Sequence, residues 1–200
     1  MGQQLENTWY DEVFAQGGSE QMYFLNYAET PWYPVWKQIS LILSQNSINQ
    51  VLDIGCGPGQ FANCLLDEIP NIKYTGLDFS QTAINFANQL NPTASFIVAD
   101  AVDYNYSSLE YDAVVITEFL EHVHGDLTVL EKLKSNSLIL ATLPNMDSEG
   151  HVRFLSKDYA EAIQQIQERY SDLCDIQHIQ YFPYEENPEN ADYLITMRRK

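Results

Sequence analysis

The densest chemistry in the sequence lies in one run of eight residues, Thr117-Glu118-Phe119-Leu120-Glu121-His122-Val123-His124. Read as the opening of a helix over 119–133, the run sets Glu118, Glu121 and His122 at i, i+3 and i+4, on one face. Two carboxylates and an imidazole in that arrangement can do two kinds of work. They can move protons, with His122 as the base and Glu121 as its orienting partner. They can also hold a hard divalent ion, since carboxylates suit magnesium or manganese and one imidazole tilts toward manganese. His151, in the segment 144–154 with Arg153, is a candidate further member of either arrangement. A structural role stands beside both, because carboxylates at a helix N-terminus are stabilised by the dipole whatever their function. His124 and His178 read as surface or structural.

A second constellation is Val51-Leu52-Asp53-Ile54-Gly55-Cys56-Gly57-Pro58-Gly59. An apolar strand runs into glycines and a helix follows, so backbone can approach a ligand where a Cβ would clash. The spacing is G-x-G-x-G, not the G-x-G-x-x-G of a dinucleotide site, because Gln60 follows Gly59. The preceding acid, Asp53, suits a ligand with a positive amino group. Two more acids follow apolar runs, Asp78 in Gly76-Leu77-Asp78-Phe79-Ser80 and Asp100 in Val98-Ala99-Asp100-Ala101.

The elements that must position these groups alternate. Apolar runs predict strands over 50–54, 73–77, 95–99, 113–117 and 137–143, with helices over 35–43, 60–68, 80–90, 119–133 and 157–170. Continuous apolar strands indicate burial on both faces. The architecture predicted is α/β, a doubly wound and mostly parallel seven-stranded sheet. Its last two strands, 176–182 and 193–197, are joined by 183–191 without a helix, so they form an antiparallel hairpin at one edge. Acids at successive strand ends then line the crevice of an open sheet.

The stretch 51–59 resembles the first motif of the class I S-adenosylmethionine-dependent methyltransferases, and the resemblance covers roughly residues 35–200. It implies S-adenosyl-L-methionine as cofactor, with Asp53, Gly55, Cys56, Gly57 and Gly59 in the loop around it. It implies Asp78 on the ribose hydroxyls, Phe79 against the adenine, Asp100 and Ala101 near the adenine amino group, and Glu118 in contact with the cofactor. His122, Glu121 and His151 are then the catalytic candidates. The reaction implied is in-line methyl transfer to oxygen, or nitrogen, of a small-molecule acceptor. The Glu-x-x-Glu-His stretch is similar to that of ubiquinone-pathway O-methyltransferases. It is also similar to small-RNA 3'-terminal 2'-O-methyltransferases, which bind a metal there with a later His. That leaves Glu118, Glu121, His122 and His151 as a metal set. The metal-free role is preferred, because Glu118 also suits the cofactor and two ligands alone hold a hard ion weakly. An RNA 2'-O-methyltransferase and a non-catalytic cofactor-binding subunit are the alternatives.

Residues 1–34 stand outside the resemblance as an aromatic cap. Nine rings between Trp9 and Trp36 bracket Gly17-Gly18, as either a cover for one core edge or a lid over a ligand. The net charge of -18, with 28 acidic against 10 basic residues, argues against nucleic-acid and anionic-membrane partners. No apolar run is long enough to span a bilayer, and the first Lys is Lys37, so a signal peptide is not expected. Three cysteines without a CxxC pair point to reduced thiols and a cytoplasmic setting.

Overall fold

Apolar runs become strands wherever the sequence buries both faces. In the computed structural model, which describes residues 2–200, seven strands carry the fold. They are β1 (Gln50–Ile54), β2 (Lys73–Asp78), β3 (Ser95–Val98), β4 (Ala113–Ile116), β5 (Leu138–Pro144), β6 (Cys174–Pro183) and β7 (Ala191–Arg199). Every residue of β4 and β5 is buried, as their unbroken apolar character requires. The strands form one sheet in the order β3-β2-β1-β4-β5-β7-β6. β1–β2 and β2–β3 are parallel, whereas β5–β7 and β7–β6 are antiparallel. The α/β sheet with a C-terminal antiparallel hairpin is therefore as the sequence predicts.

The helices are α1 (Asn7–Gln16), α2 (Tyr33–Gln45), α3 (Gln60–Glu68), α4 (Gln81–Leu90), α5 (Asp126–Glu131) and α6 (Tyr159–Tyr170). Local signals set several boundaries. The Ser80 side chain accepts from Ala83 N at 3.1 Å and starts α4, and Asp158 accepts from Glu161 N at 2.9 Å and starts α6. Gly17, at φ 84°, ends α1 while Gly18 N returns to Val13 O at 2.9 Å.

The helix predicted over 119–133 is the main correction. Residues 117–125 form an irregular loop with turns over 120–122 and 124–125, and helix begins only at Asp126. Tertiary hydrogen bonds have replaced helical ones. Glu121 O accepts from Val152 N at 2.7 Å, and Leu120 O accepts from the Arg153 guanidinium. The i, i+3, i+4 face expected for Glu118, Glu121 and His122 does not exist.

Packing divides the described residues into two compact units. One comprises Leu5–Tyr104 with Glu110–Ala113. The other comprises residues 2–4, Asn105–Leu109 and Val114–Lys200. The aromatic segment 5–34 thus shares a unit with the glycine loop.

Candidate functional site

In the first unit, β1 delivers Asp53 into the core, where it is 1% exposed. Tyr74 OH donates to Asp53 Oδ2, while Asp53 Oδ1 is buried without a partner. Burial pushes this carboxyl up to about 7, against the Tyr74 hydrogen bond and with help from the nearby Asp78 charge. An orphaned buried acceptor costs free energy until a donor meets it. A ligand's ammonium is such a donor.

The glycine loop turns directly after β1. Gly55 N and Cys56 N both donate to Leu77 O, at 2.8 and 3.1 Å, which fastens the loop to the end of β2. Gly57 adopts φ 51°, and its N–H donates to Asp78 Oδ2 at 3.0 Å. A Cβ on Gly57 would meet the Phe14 ring at 3.7 Å, so the space above this backbone is shared with α1. Gly59 serves packing instead. A Cβ there would lie 2.8 Å from Asn91 Nδ2 and 3.0 Å from Ala87 on α4, and Asn91 Nδ2 donates to Gly59 O at 2.8 Å. Cys56 is buried, and burial raises its thiol well above the ordinary range, so it is no nucleophile.

Asp78 ends β2 at 8% exposure. Its second oxygen accepts from Ser80 N at 2.9 Å, so each carboxylate oxygen has one backbone donor and a remaining lone pair. Burial, with the Asp11 charge adding to it, raises this carboxyl to about 6 although the Ser80, Gly57 and Phe79 N–H groups oppose the shift. Two lone pairs on one fixed carboxylate fit a vicinal diol. Phe79 is half-buried, 5.2 Å from Tyr10 between ring centroids. Asp100 is exposed and accepts from Val102 N at 2.8 Å in a local turn, beside the buried Ala101. All nine first-unit residues expected around a cofactor thus fall in the loop and at the ends of β1, β2 and β3.

The second unit holds the acid–histidine cluster. Glu121 is 0% exposed and both of its carboxyl oxygens lack partners. Burial, with the Asp192 charge adding to it, pushes Glu121 up to about 8. His122 Nε2 lies 3.8 Å from Glu121 Oε1, beyond hydrogen-bond length. The His122 and His151 rings meet edge to face at 4.7 Å. Burial and then His151 lower His122 to about 4, and burial lowers His151 as well. His151 Nδ1 lies 3.1 Å from Met146 O. A carbonyl can only accept, so Nδ1 carries the proton and Nε2 keeps its lone pair. One ligand atom from each of Glu121, His122 and His151 lies within 4.8 Å of the others.

Glu118 stands outside that trio. It sits at φ 51°, its N–H donates to Thr142 Oγ1 at 2.9 Å, and Thr142 Oγ1 donates to Glu118 Oε1 at 3.0 Å. Burial raises the Asp192 carboxyl to about 6, against its side-chain interactions with Tyr184 and Glu118. Tyr184 OH donates to Asp192 Oδ2 at 2.8 Å. The sequence reading did not single out Asp192 or Tyr184. Their only signal was an acid placed just before an apolar strand.

A buried ion-pair network holds the cluster's two loops. Asp126, 0% exposed, accepts from Arg169 Nε and Nη2 at 2.7 and 2.6 Å and from Tyr170 OH at 3.1 Å. Arg153 Nη2 adds a contact at 3.1 Å to Asp126 Oδ1. Arg153 therefore ties the Glu121 turn to the His151 loop.

Residues 51–136 match the family described as methyltransferase domain. Over 105 residues the chain is 29% identical to trans-aconitate 2-methyltransferase of Yersinia pestis (strain Pestoides F), covering 50% of this chain and 41% of that protein. Over 133 residues it is 29% identical to demethylmenaquinone methyltransferase of Thermotoga maritima, covering 62% of this chain and 56% of that protein. The chain thus spans about half the length of these curated relatives. Its fold is similar to that of the N-methyltransferase NodS from Bradyrhizobium japonicum WM9, solved with S-adenosyl-L-homocysteine. The TM-score is 0.64 at 18% identity, over 86% of this chain and 89% of that one.

Proposed function

We infer from the matched family and the fold that the chain is a class I S-adenosylmethionine-dependent methyltransferase, and that its acceptor is a small molecule methylated on oxygen or nitrogen. The observation that carries this reading is the cradle at the ends of β1 and β2. A buried carboxylate oxygen without a partner at Asp53, a left-handed Gly57 and a doubly braced Asp78 match an amino acid joined to a ribose. Asp53 would face the ammonium, Gly55 to Gly57 would lie along the cofactor's chain, and Asp78 would take the ribose hydroxyls. Phe79, Asp100 and Ala101 would surround the adenine. The bound cofactor supplies a methyl already activated by a sulfonium.

The protein's own work is then alignment, exclusion of water and proton handling. His122, lowered to about 4 by burial and by His151, is neutral at neutral pH and is the candidate proton acceptor. Glu121 keeps its proton at neutral pH and acts as a hydrogen-bond donor rather than as a second base. His151, oriented by Met146, presents Nε2.

One observation favours a second reading. The close grouping of Glu121, His122 and His151, with both Glu121 oxygens unpartnered, suits a divalent ion without Glu118. The proposal includes a cytoplasmic setting, which three buried free cysteines suit. Among the described residues no helix is long and apolar enough to cross a membrane. The charge of -18 disfavours an RNA acceptor.

Calorimetry with S-adenosyl-L-homocysteine, followed by an acceptor panel assayed for demethylated cofactor, tests the reading. Absence of binding would overturn it. Binding without turnover on any acceptor would favour a non-catalytic subunit.

A further inference from the structure

A polar contact of the first unit that the cofactor reading leaves unassigned joins α1 to the cradle. Asp11 Oδ1 accepts from Ser80 Oγ at 2.5 Å and from Thr82 N at 3.0 Å. Ser80 is fully buried, and its own N–H is the donor that braces Asp78 Oδ1 at 2.9 Å. The other Asp78 oxygen braces Gly57. One chain of hydrogen bonds therefore runs from Asp11 through Ser80 and Asp78 to the glycine loop.

The same helix returns to that loop on its apolar side. Phe14 is 6% exposed and its ring stands 3.7 Å from where a Gly57 Cβ would be. Tyr10 lies 5.2 Å from Phe79, the ring at the end of β2. Asp11 thus sits at the polar hinge of a helix whose rings cover both Gly57 and Phe79. The two hydrogen bonds, Ser80 first, hold the Asp11 carboxyl below the ordinary range, so it is charged at neutral pH. A charged acceptor gives a stronger bond than a neutral one.

We propose that Asp11 is a positioning residue for cofactor binding: through Ser80 it fixes the Asp78 carboxylate, and through α1 it seats Tyr10 and Phe14 as the roof of the cofactor site. Residues 7–16 are then part of the cofactor site rather than a remote cover. The inference rests on the cofactor reading above. It adds a residue that the glycine motif does not contain, and it makes α1 docking and cofactor affinity two readings of one equilibrium.

The test uses the full chain and S-adenosyl-L-homocysteine. In calorimetry Asp11→Ala should weaken binding roughly tenfold or more, the loss expected when a charged hydrogen bond to the support of Asp78 is removed. Asp11→Asn keeps an acceptor oxygen for both donors and should recover most of the affinity. In hydrogen exchange the wild type should gain protection over residues 7–16 on ligand binding, and Asp11→Ala should lose that gain. A lowered melting temperature with unchanged affinity and unchanged ligand-induced protection would overturn the inference and leave Asp11 a structural cap. A wild type that binds no ligand would overturn the cofactor reading itself, and this inference with it. Circular dichroism on each variant shows that the fold persists.

Discussion

Under the cofactor reading proposed above, Asp78 carries both structure and recognition. It spends one lone pair per oxygen on Gly57 and Ser80, which leaves two for a ligand. Asp78→Ala should cost about 2–4 kcal/mol in S-adenosyl-L-homocysteine affinity, for two bonds to a charged group. A loss below about 0.5 kcal/mol would exclude it as the ribose ligand. Gly57→Val places a β-branched residue at φ 51°, against Phe14, and should abolish binding while the fold is retained. Unchanged affinity would reassign the loop. At the acid–histidine cluster two outcomes separate the readings. If an ion binds there, chelator abolishes turnover, manganese or magnesium restores it, and His122→Ala copies the chelator. If His122 is a metal-free base, chelator has no effect and His122→Ala lowers the maximal rate by roughly 10²–10⁴-fold. The sequence made Asp53, Asp78 and the glycines legible because contiguous residues build that turn. It hid Asp11, whose partner Ser80 lies far along the chain, and the Tyr184–Asp192 pair, which meets only across the hairpin connection.

Among the elements, strands were legible wherever both faces are buried, as in β4 and β5. Local apolar runs report that condition directly. The segment 117–125 misleads for the opposite reason. Its residues can form a helix, but Leu120 and Glu121 give their carbonyls to Arg153 and Val152. Propensity loses to tertiary hydrogen bonds there, and the Glu121–His122–His151 grouping follows from a turn and a loop that no spacing rule describes. The clamp behind it is the Asp126 network. Asp126→Ala removes a fully buried carboxylate from two arginines, one of them largely buried, and should destabilise the fold by about 3–5 kcal/mol. Chemical denaturation measures this. A change under about 1 kcal/mol would show that the network is not what holds the two loops.

For the molecule as a whole, charge sets the pH response. Asp53, Asp78, Glu121 and Asp192 all have folded-state values raised by burial, to about 7, 6, 8 and 6. The folded state therefore holds more protons than the unfolded one from the ordinary carboxylate range up to about 8, and stability falls as pH rises through that window. His122 works the other way. Its value is lowered to about 4, so stability is lost as pH falls from 6.5 toward 4. Above 6.5 the acids dominate, the buried thiols of Cys56, Cys64 and Cys174 act in the same direction, and a net charge of -18 adds self-repulsion. The melting temperature should be higher at pH 6.5 than at pH 8.5, and the reverse order in a thermal melt would contradict these burial effects.

The strand order has a consequence in time as well. β7 lies between β5 and β6, pairing Leu138–Pro144 on one side and nearly all of β6 on the other. While the chain leaves the ribosome, β6 has no neighbour in the sheet until the residues of β7 have emerged. Arg199 N reaches Ser137 O at 3.1 Å and Asn136 N reaches Arg199 O at 2.7 Å, so pairing runs to the last turn of that strand. Until β7 has been made, the facing edges of β5 and β6 stay unpaired, and this half of the sheet closes last as β7 inserts between them.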